Sequence, residues 1–359
     1  MKSIQSQHSF VHFEAKGYES LNALLKNKRY SKLFVLVDTN THQHCLSLFL
    51  EQLEFEATEI IEIDAGEEHK HLETCMGVWE ALSELGADRK SLLMNLGGGV
   101  VTDLGGFVAC TFKRGIDYVN IPTTLLSMVD ASVGGKTGVD LGNLKNQIGV
   151  ISEPQMVLVD PNYLYTLPNE EVRSGYAEML KHGLIADLKY WNALKDYKSI
   201  HSGELLPYIH RSIEIKNKVV TEDPREDSLR KTLNFGHTLG HAIESHFLSH
   251  SSKKKLLHGE AIAIGMVLAG YLSHHLCGFS KEYMLDIKSV MHYIFPQVAI
   301  DTSDIEPIIE SICNLQWDSN DKNISDRTNE LPGQLDSALK YFGTAYLTDR
   351  ETQVVQLFL

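Results

Sequence analysis

Cysteine is scarce and scattered in this chain. Cys45, Cys75, Cys110, Cys277 and Cys313 form no CxxC pair, which fits reduced thiols in a cytoplasmic protein better than a disulfide framework. Long apolar runs are missing too. The longest, around Ala261 to Leu272, is too short to span a bilayer and reads as a buried helix. The opening residues Met1 to His8 carry no apolar signal core, so a cytoplasmic protein with no membrane partner is expected. Positive charge is in deficit: 33 Lys and Arg stand against 47 Asp and Glu, a formal net charge of −14. That excludes a general nucleic-acid or membrane-surface binder, because both partners are polyanions. An anionic small substrate stays possible where basic residues are concentrated locally. Neither a GxGxxG fingerprint nor a Walker A loop occurs, and there is no internal repeat or low-complexity segment.

What is present is an ordinary globular composition, 43% hydrophobic and 22% charged over 359 residues, enough chain for two domains. In the first 160 residues short β-rich runs alternate with helical stretches: Leu33–Val37 before Asp38, Thr58–Ile63 before Asp64, Ser91–Leu96 before Gly97-Gly98-Gly99, Tyr118–Pro122, and Met156–Val159 before Asp160-Pro161. Alternation of this kind predicts a doubly wound, mostly parallel sheet. Ligands bind such sheets beyond the carboxyl ends of the strands, where Asp38, the Gly97–Gly99 turn and Thr123-Thr124 fall. From Asn169 to about Gln297 the chain reads as successive helices. The expected division is therefore an α/β nucleotide-binding domain over residues 1–166 and a mainly α-helical domain over 167–359, with the active site in the cleft between them. The tail from about Trp317 is polar and irregular, and its last eight residues read as one strand.

Three segments carry chemistry. Gly97-Gly98-Gly99-Val100-Val101-Thr102-Asp103 follows a strand and opens a helix, so its backbone N–H groups can approach a phosphate; a tight packing turn is the alternative. Asp130 to Gly138 sets Lys136 among glycines, with Lys145-Asn146 nine residues on. Arg230 to His241, read as one helix, aligns Arg230, Asn234, His237 and His241 on one face. A guanidinium, an amide and two imidazoles are poor core material, and HxxxH can hold a metal ion. Spacing alone favours His237 and His241 as that pair, completed by Glu178, Glu244 or His258; a solvated face is the alternative. For Glu178, Lys181 and His182, which share a helix face, an exposed salt-bridged surface is the expectation. Surface solvation is likewise expected for Lys216.

Taken in order, GGGVVTDLGGF from Gly97, RGIDYVNIPTTLLSMVDASVGGKTGVD from Arg114, LKNQIG from Leu144, SGYAEMLKHG from Ser174, EDSLRKTLNFGHTLGHAIE from Glu226 and LLHGEAIAIGM from Leu256 resemble the 3-dehydroquinate synthases among the sugar phosphate cyclases. The resemblance runs from about residue 35 to 275. It implies a shikimate-pathway enzyme that converts 3-deoxy-D-arabino-heptulosonate 7-phosphate to 3-dehydroquinate and phosphate. The steps are transient oxidation by NAD, phosphate elimination, re-reduction, ring opening and intramolecular aldol closure. It implies a zinc site, with cobalt as a substitute, made by Glu178, His237 and His258, and moves His241 to the substrate. NAD would meet Asp38, Glu67, Lys70, Gly98, Gly99, Val100, Asp103, Thr123, Thr124, Lys136, Lys145 and Thr166. The anionic sugar phosphate would meet Asp130, Lys136, Asn146, Lys181, Lys216, Arg230, Asn234 and His241, and Arg114 would reach in from a second subunit of a homodimer. Where the family carries a DKK motif before a glycine-containing hairpin, this chain has Asp321-Lys322-Asn323 without the hairpin; Lys322 is the candidate substrate lysine. Other cyclases of the inosose or valiolone type, metal-dependent alcohol dehydrogenases and a non-catalytic descendant are the rival readings.

Overall fold

Buried runs of Leu, Val and Ile form the centre of a seven-stranded sheet, as expected for strands covered on both faces. The computed structural model describes residues 1–315 except 56–57, 143, 197–203, 225, 227 and 251–252; Lys322 and the polar tail lie outside the described residues. Two short strands come first, β1 (Ile4–Gln5) and β2 (Phe10–Phe13), then helix α1 (Glu14–Lys28). Next come β3 (Leu33–Asp38), α2 (Thr39–His44), α3 (Leu46–Leu50), β4 (Thr58–Ile63), α4 (Leu72–Glu84), β5 (Leu92–Gly97), α5 (Gly99–Thr111) and β6 (Asp117–Pro122). A separate antiparallel hairpin, β7 (Lys136–Leu141) and β8 (Leu144–Ile151), precedes β9 (Val157–Val159). The sheet order is β1-β2-β9-β6-β5-β3-β4, parallel throughout except between β1 and β2. The parallel sheet expected from the sequence is present, with the five expected strands inside it. Strands β1 and β2 and the hairpin are additions that the β-rich runs did not announce.

Helices α6 (Asn169–Ala186), α7 (Leu188–Leu194) and α8 (Leu206–Glu222) follow the sheet. They belong to the same compact unit, Met1–Arg230. A second unit begins at Lys231 and contains α9 (His237–Ser249), α10 (His258–Cys277), α11 (Lys281–Ile294) and α12 (Thr302–Leu315). Among the described residues no helix is long and apolar enough to cross a membrane.

Packing in the first unit is tight where glycine permits it. A Cβ on Gly105 in α5 would lie 2.1 Å from Asn95 Oδ1 on β5, and one on Gly175 in α6 would lie 2.3 Å from the Leu126 amide nitrogen. In the second unit α9 and α10 meet through glycine as well. A Cβ on Gly265 would sit 2.0 Å from the Gly236 carbonyl oxygen and 2.8 Å from the Gly240 nitrogen. Contact that close between backbones leaves no room for any side chain, and it sets how near the two helices bring their histidines.

Candidate active-site clusters

The carboxyl ends of β3, β5 and β6 carry the residues expected to meet a dinucleotide. Asp38 ends β3 and caps α2, accepting the Thr41 N–H at 2.8 Å. Gly98 is the N-cap of α5 without a side-chain cap, so the amides of that first turn remain for an anion to accept. A Cβ on Gly98 would meet Thr124 Cγ2 at 3.0 Å, and the buried Thr123 donates its N–H to Gly97 O at 3.0 Å. Thr166 is exposed at the end of the 3-10 turn after β9, its hydroxyl donating to Tyr163 O at 3.4 Å.

Behind this edge Lys70 is buried and binds Asp103 Oδ2 and Asn146 Oδ1, each at 2.7 Å. Burial opposes its charge, but Asp103 and Glu67 outweigh that and hold its pKa above the ordinary lysine value. Burial also raises Asp103, above the ordinary carboxylate range and so towards its neutral form, even with Lys70 beside it. The 2.7 Å contact between opposite charges decides for an ion pair. Lys145 Nζ lies 3.9 Å from Glu67 Oε1.

A second cluster in the same unit overturns the solvated readings of α6 and Lys216. Glu178, Lys181 and His182 are all at most 1% exposed and Lys216 is 7% exposed. Lys216 Nζ donates to Asp130 Oδ1 at 2.6 Å and to the Asp130 carbonyl at 2.5 Å; Lys181 pairs with Glu178. Burial opposes ionisation of Asp130, but Lys216 and then Lys181 outweigh it and hold its carboxyl well below the usual range. His182 Nδ1 contacts Ser212 Oγ at 2.6 Å, and burial, reinforced by Lys181, pushes its pKa down to about 3. This imidazole is therefore neutral at pH 7. Asp130, Glu178 and His182 offer atoms within 4.8 Å of one another, yet an ion there would compete with two ammonium groups for the same carboxylates. Lys136, by contrast, is exposed and pairs with Glu226.

The stretch from Arg230 to His241 is not one helix, which corrects the single-face reading. Leu229–Asn234 is a 3-10 turn and α9 starts only at His237. The break falls at Gly236, whose φ of +80° is a left-handed conformation that a side chain would strain, and whose Cβ would lie 2.7 Å from Met266 Cγ. Arg230 closes the first unit: its Nη1 donates to Pro224 O at 2.9 Å and its Nη2 lies 3.5 Å from Gly134 O. Asn234 is exposed in the second unit.

In that second unit His237 and His241, one turn apart on α9, meet His258 at the start of α10. Their ring centroids are 5.3 to 5.5 Å apart, and their ring nitrogens include a set within 4.8 Å of one another. Three imidazoles at that separation match the donor set of a zinc or cobalt ion. Glu244 Oε2 stands 3.6 Å from His258 Nδ1, as carboxylates often do behind metal-bound histidines. The spacing-based pair and the resemblance-based ligand His258 thus come together in one group. Glu178 lies in the other cluster. Asp140 and Ser212 were missed in the sequence, because a single Asp or Ser carries no periodic signal.

A doubly wound sheet followed by a helical unit is a fold that this chain shares with solved sugar phosphate cyclases. The solved 2-epi-5-epi-valiolone synthase of Streptomyces hygroscopicus, with NAD+ and Zn2+ bound, superposes with a TM-score of 0.76 at 25% identity, over 96% of this chain and 98% of that one. A 2-deoxy-scyllo-inosose synthase complexed with carbaglucose-6-phosphate, NAD+ and Co2+ gives 0.75 at 23% identity, over 87% of this chain and 86% of that one, and so shares the fold. Within that class the sequence is more specific. Residues 60–174 match the 3-dehydroquinate synthase N-terminal family and residues 175–316 the 3-dehydroquinate synthase C-terminal family. The 3-dehydroquinate synthase of Parabacteroides distasonis is 43% identical over 292 residues, 81% of this chain and 82% of that protein. This chain belongs to the 3-dehydroquinate synthase family.

Proposed function

We propose that this chain is a phosphate-eliminating lyase that turns 3-deoxy-D-arabino-heptulosonate 7-phosphate into 3-dehydroquinate, using NAD and a divalent metal. The observation that carries the reading is the pairing of two buried lysines with two carboxylates, Lys216 with Asp130 and Lys181 with Glu178, in a chain of this family. When bound, NAD would take and later return a hydride, and the metal would polarise the alcohol that is oxidised. His237 and His258 would hold the metal, with Glu178 as the further ligand that the family resemblance implies, and His241 would face the substrate. The remaining cofactor contacts fall to Asp38, Glu67, Lys70, Gly98, Gly99, Val100, Asp103, Thr123, Thr124, Lys136, Lys145 and Thr166.

The residues themselves account for much of the chemistry. Lys181, Lys216 and Arg230 concentrate positive charge in an acidic chain, which suits a substrate bearing both phosphate and carboxylate. Carbonyl bonds from Pro224 and Gly134 fix the Arg230 guanidinium plane, as bidentate carboxylate binding requires. Asp130 and Glu178 each carry an ammonium partner, and Lys216 and Lys181 weaken Asp130 as a base. That supports proton transfer to the departing phosphate itself. The exposed Arg114, whose φ is +68°, is assigned to a neighbouring subunit's site in a homodimer.

Incubation with 3-deoxy-D-arabino-heptulosonate 7-phosphate, NAD and zinc should release phosphate without net NADH. Release only from heptulose or glucose phosphates would select another cyclase, and NADH accumulating with a simple alcohol would select a dehydrogenase.

A further inference from the structure

The hairpin that carries Lys145 and Asn146 is irregular. Val139 pairs with Ile148 and Leu141 with Leu144, so two steps along β7 are matched by four along β8. The extra residues fall at Lys145 to Gln147, directly opposite Asp140. Asn146 takes up the slack in the left-handed region, with φ +53°, which Asn tolerates better than most residues. Its N–H then leaves the ladder and donates to Asp140 Oδ1 at 2.7 Å.

Asp140 is tied down from its other side. Its own N–H donates to the Lys70 carbonyl at 2.8 Å, and it forms an isolated parallel bridge with His71. Lys70 in turn reaches Asn146 Oδ1 at 2.7 Å. The result is a closed circuit: Lys70 backbone to Asp140, Asp140 carboxylate to the Asn146 amide, Asn146 side chain back to the Lys70 ammonium, and that ammonium on to Asp103.

We propose that Asp140 is a positioning residue for the proposed reaction, holding the β8 bulge so that Lys145 and Asn146 are presented in a single conformation. This rests on the functional reading above, which gives Lys145 and Asn146 their cofactor and substrate contacts. Asp140 itself touches neither ligand in this role. An acceptor oxygen at Oδ1 is all the role requires, so Asn in its place should serve while Ala should not.

Two measurements on the full-length protein test it. Hydrogen exchange of peptides covering 144–149 should accelerate about tenfold or more in Asp140→Ala, the loss of one hydrogen bond to a charged acceptor, and stay near the parent rate in Asp140→Asn. In the phosphate-release assay Asp140→Ala should raise KM by about tenfold with a smaller change in kcat, and Asp140→Asn should restore KM to within about threefold. Unchanged exchange and KM in Asp140→Ala, or an Asn variant as impaired as the Ala variant, would overturn the proposal. Absent phosphate release from the parent protein would instead reject the functional reading, and the exchange experiment would still decide whether Asp140 holds the bulge.

Discussion

Replacing Gly265 by alanine tests whether glycine contact between α9 and α10 brings the three histidines together. The added methyl would lie 2.0 Å from Gly236 O and 2.8 Å from Gly240 N. Both are backbone atoms, so no rotamer change relieves the clash and the helices must separate. Overpacking of a core typically costs 1–3 kcal/mol, here about 3. Alanine's higher helix propensity returns about 1 kcal/mol, leaving a net loss of about 2 kcal/mol. Gly270, five residues along the same helix, is the control: its Cβ would meet only Ile287 Cδ1 at an ordinary 3.5 Å. There the propensity gain stands alone, so Gly270→Ala should stabilise by up to about 1 kcal/mol. Denaturant unfolding with a chelator present measures both, and calorimetric zinc titration measures the consequence for His237, His241 and His258. Gly265→Ala should be the less stable by about 3 kcal/mol and should bind zinc more weakly, while Gly270→Ala keeps the parent affinity. Equal stability and equal zinc affinity in the two variants would refute the reasoning.

His258→Ala should remove zinc and phosphate release together, whereas His241→Ala should keep zinc and lose activity; equal loss of metal, read by atomic absorption, would make His241 a ligand. The buried thiols of Cys45 and Cys75 are both pushed up to about 12, mainly by burial. The stability they contribute is complete below their unfolded value near 9 and is lost as pH rises from there towards 12, at about 1.4 kcal/mol per unit and thiol. Urea unfolding at pH 8 and pH 10 should show this fall, and a double Cys→Ala variant should flatten it.

Much of the candidate site's local structure was legible in the chain because its signals are local. The glycine turn after β5 and the capping Asp38 sit at strand ends, and strand ends are marked by short β-rich runs. Histidines four apart are neighbours in any helix, so the pairing of His237 with His241 needed no tertiary information. The helix face as a whole misled for the opposite, non-local reason: the +80° φ of Gly236 answers to Met266 on α10, thirty residues away, and residue spacing carries no trace of it.

Burial was the other thing spacing could not supply. Glu178, Lys181, His182 and Lys216 look in sequence like solvated charges on two amphipathic helices. They are buried because each carboxylate finds a lysine, and that complementarity exists only once α6, α8 and the Asp130 turn are packed together. The parallel sheet, the glycine turn and capping Asp38 at its strand ends and the family motifs were thus determined by the sequence alone, since each depends on residues close together along the chain. Which charges are buried, how three imidazoles converge and why Asn146 bends towards Asp140 were decided only by tertiary structure, because each depends on backbones approaching from distant parts of the chain.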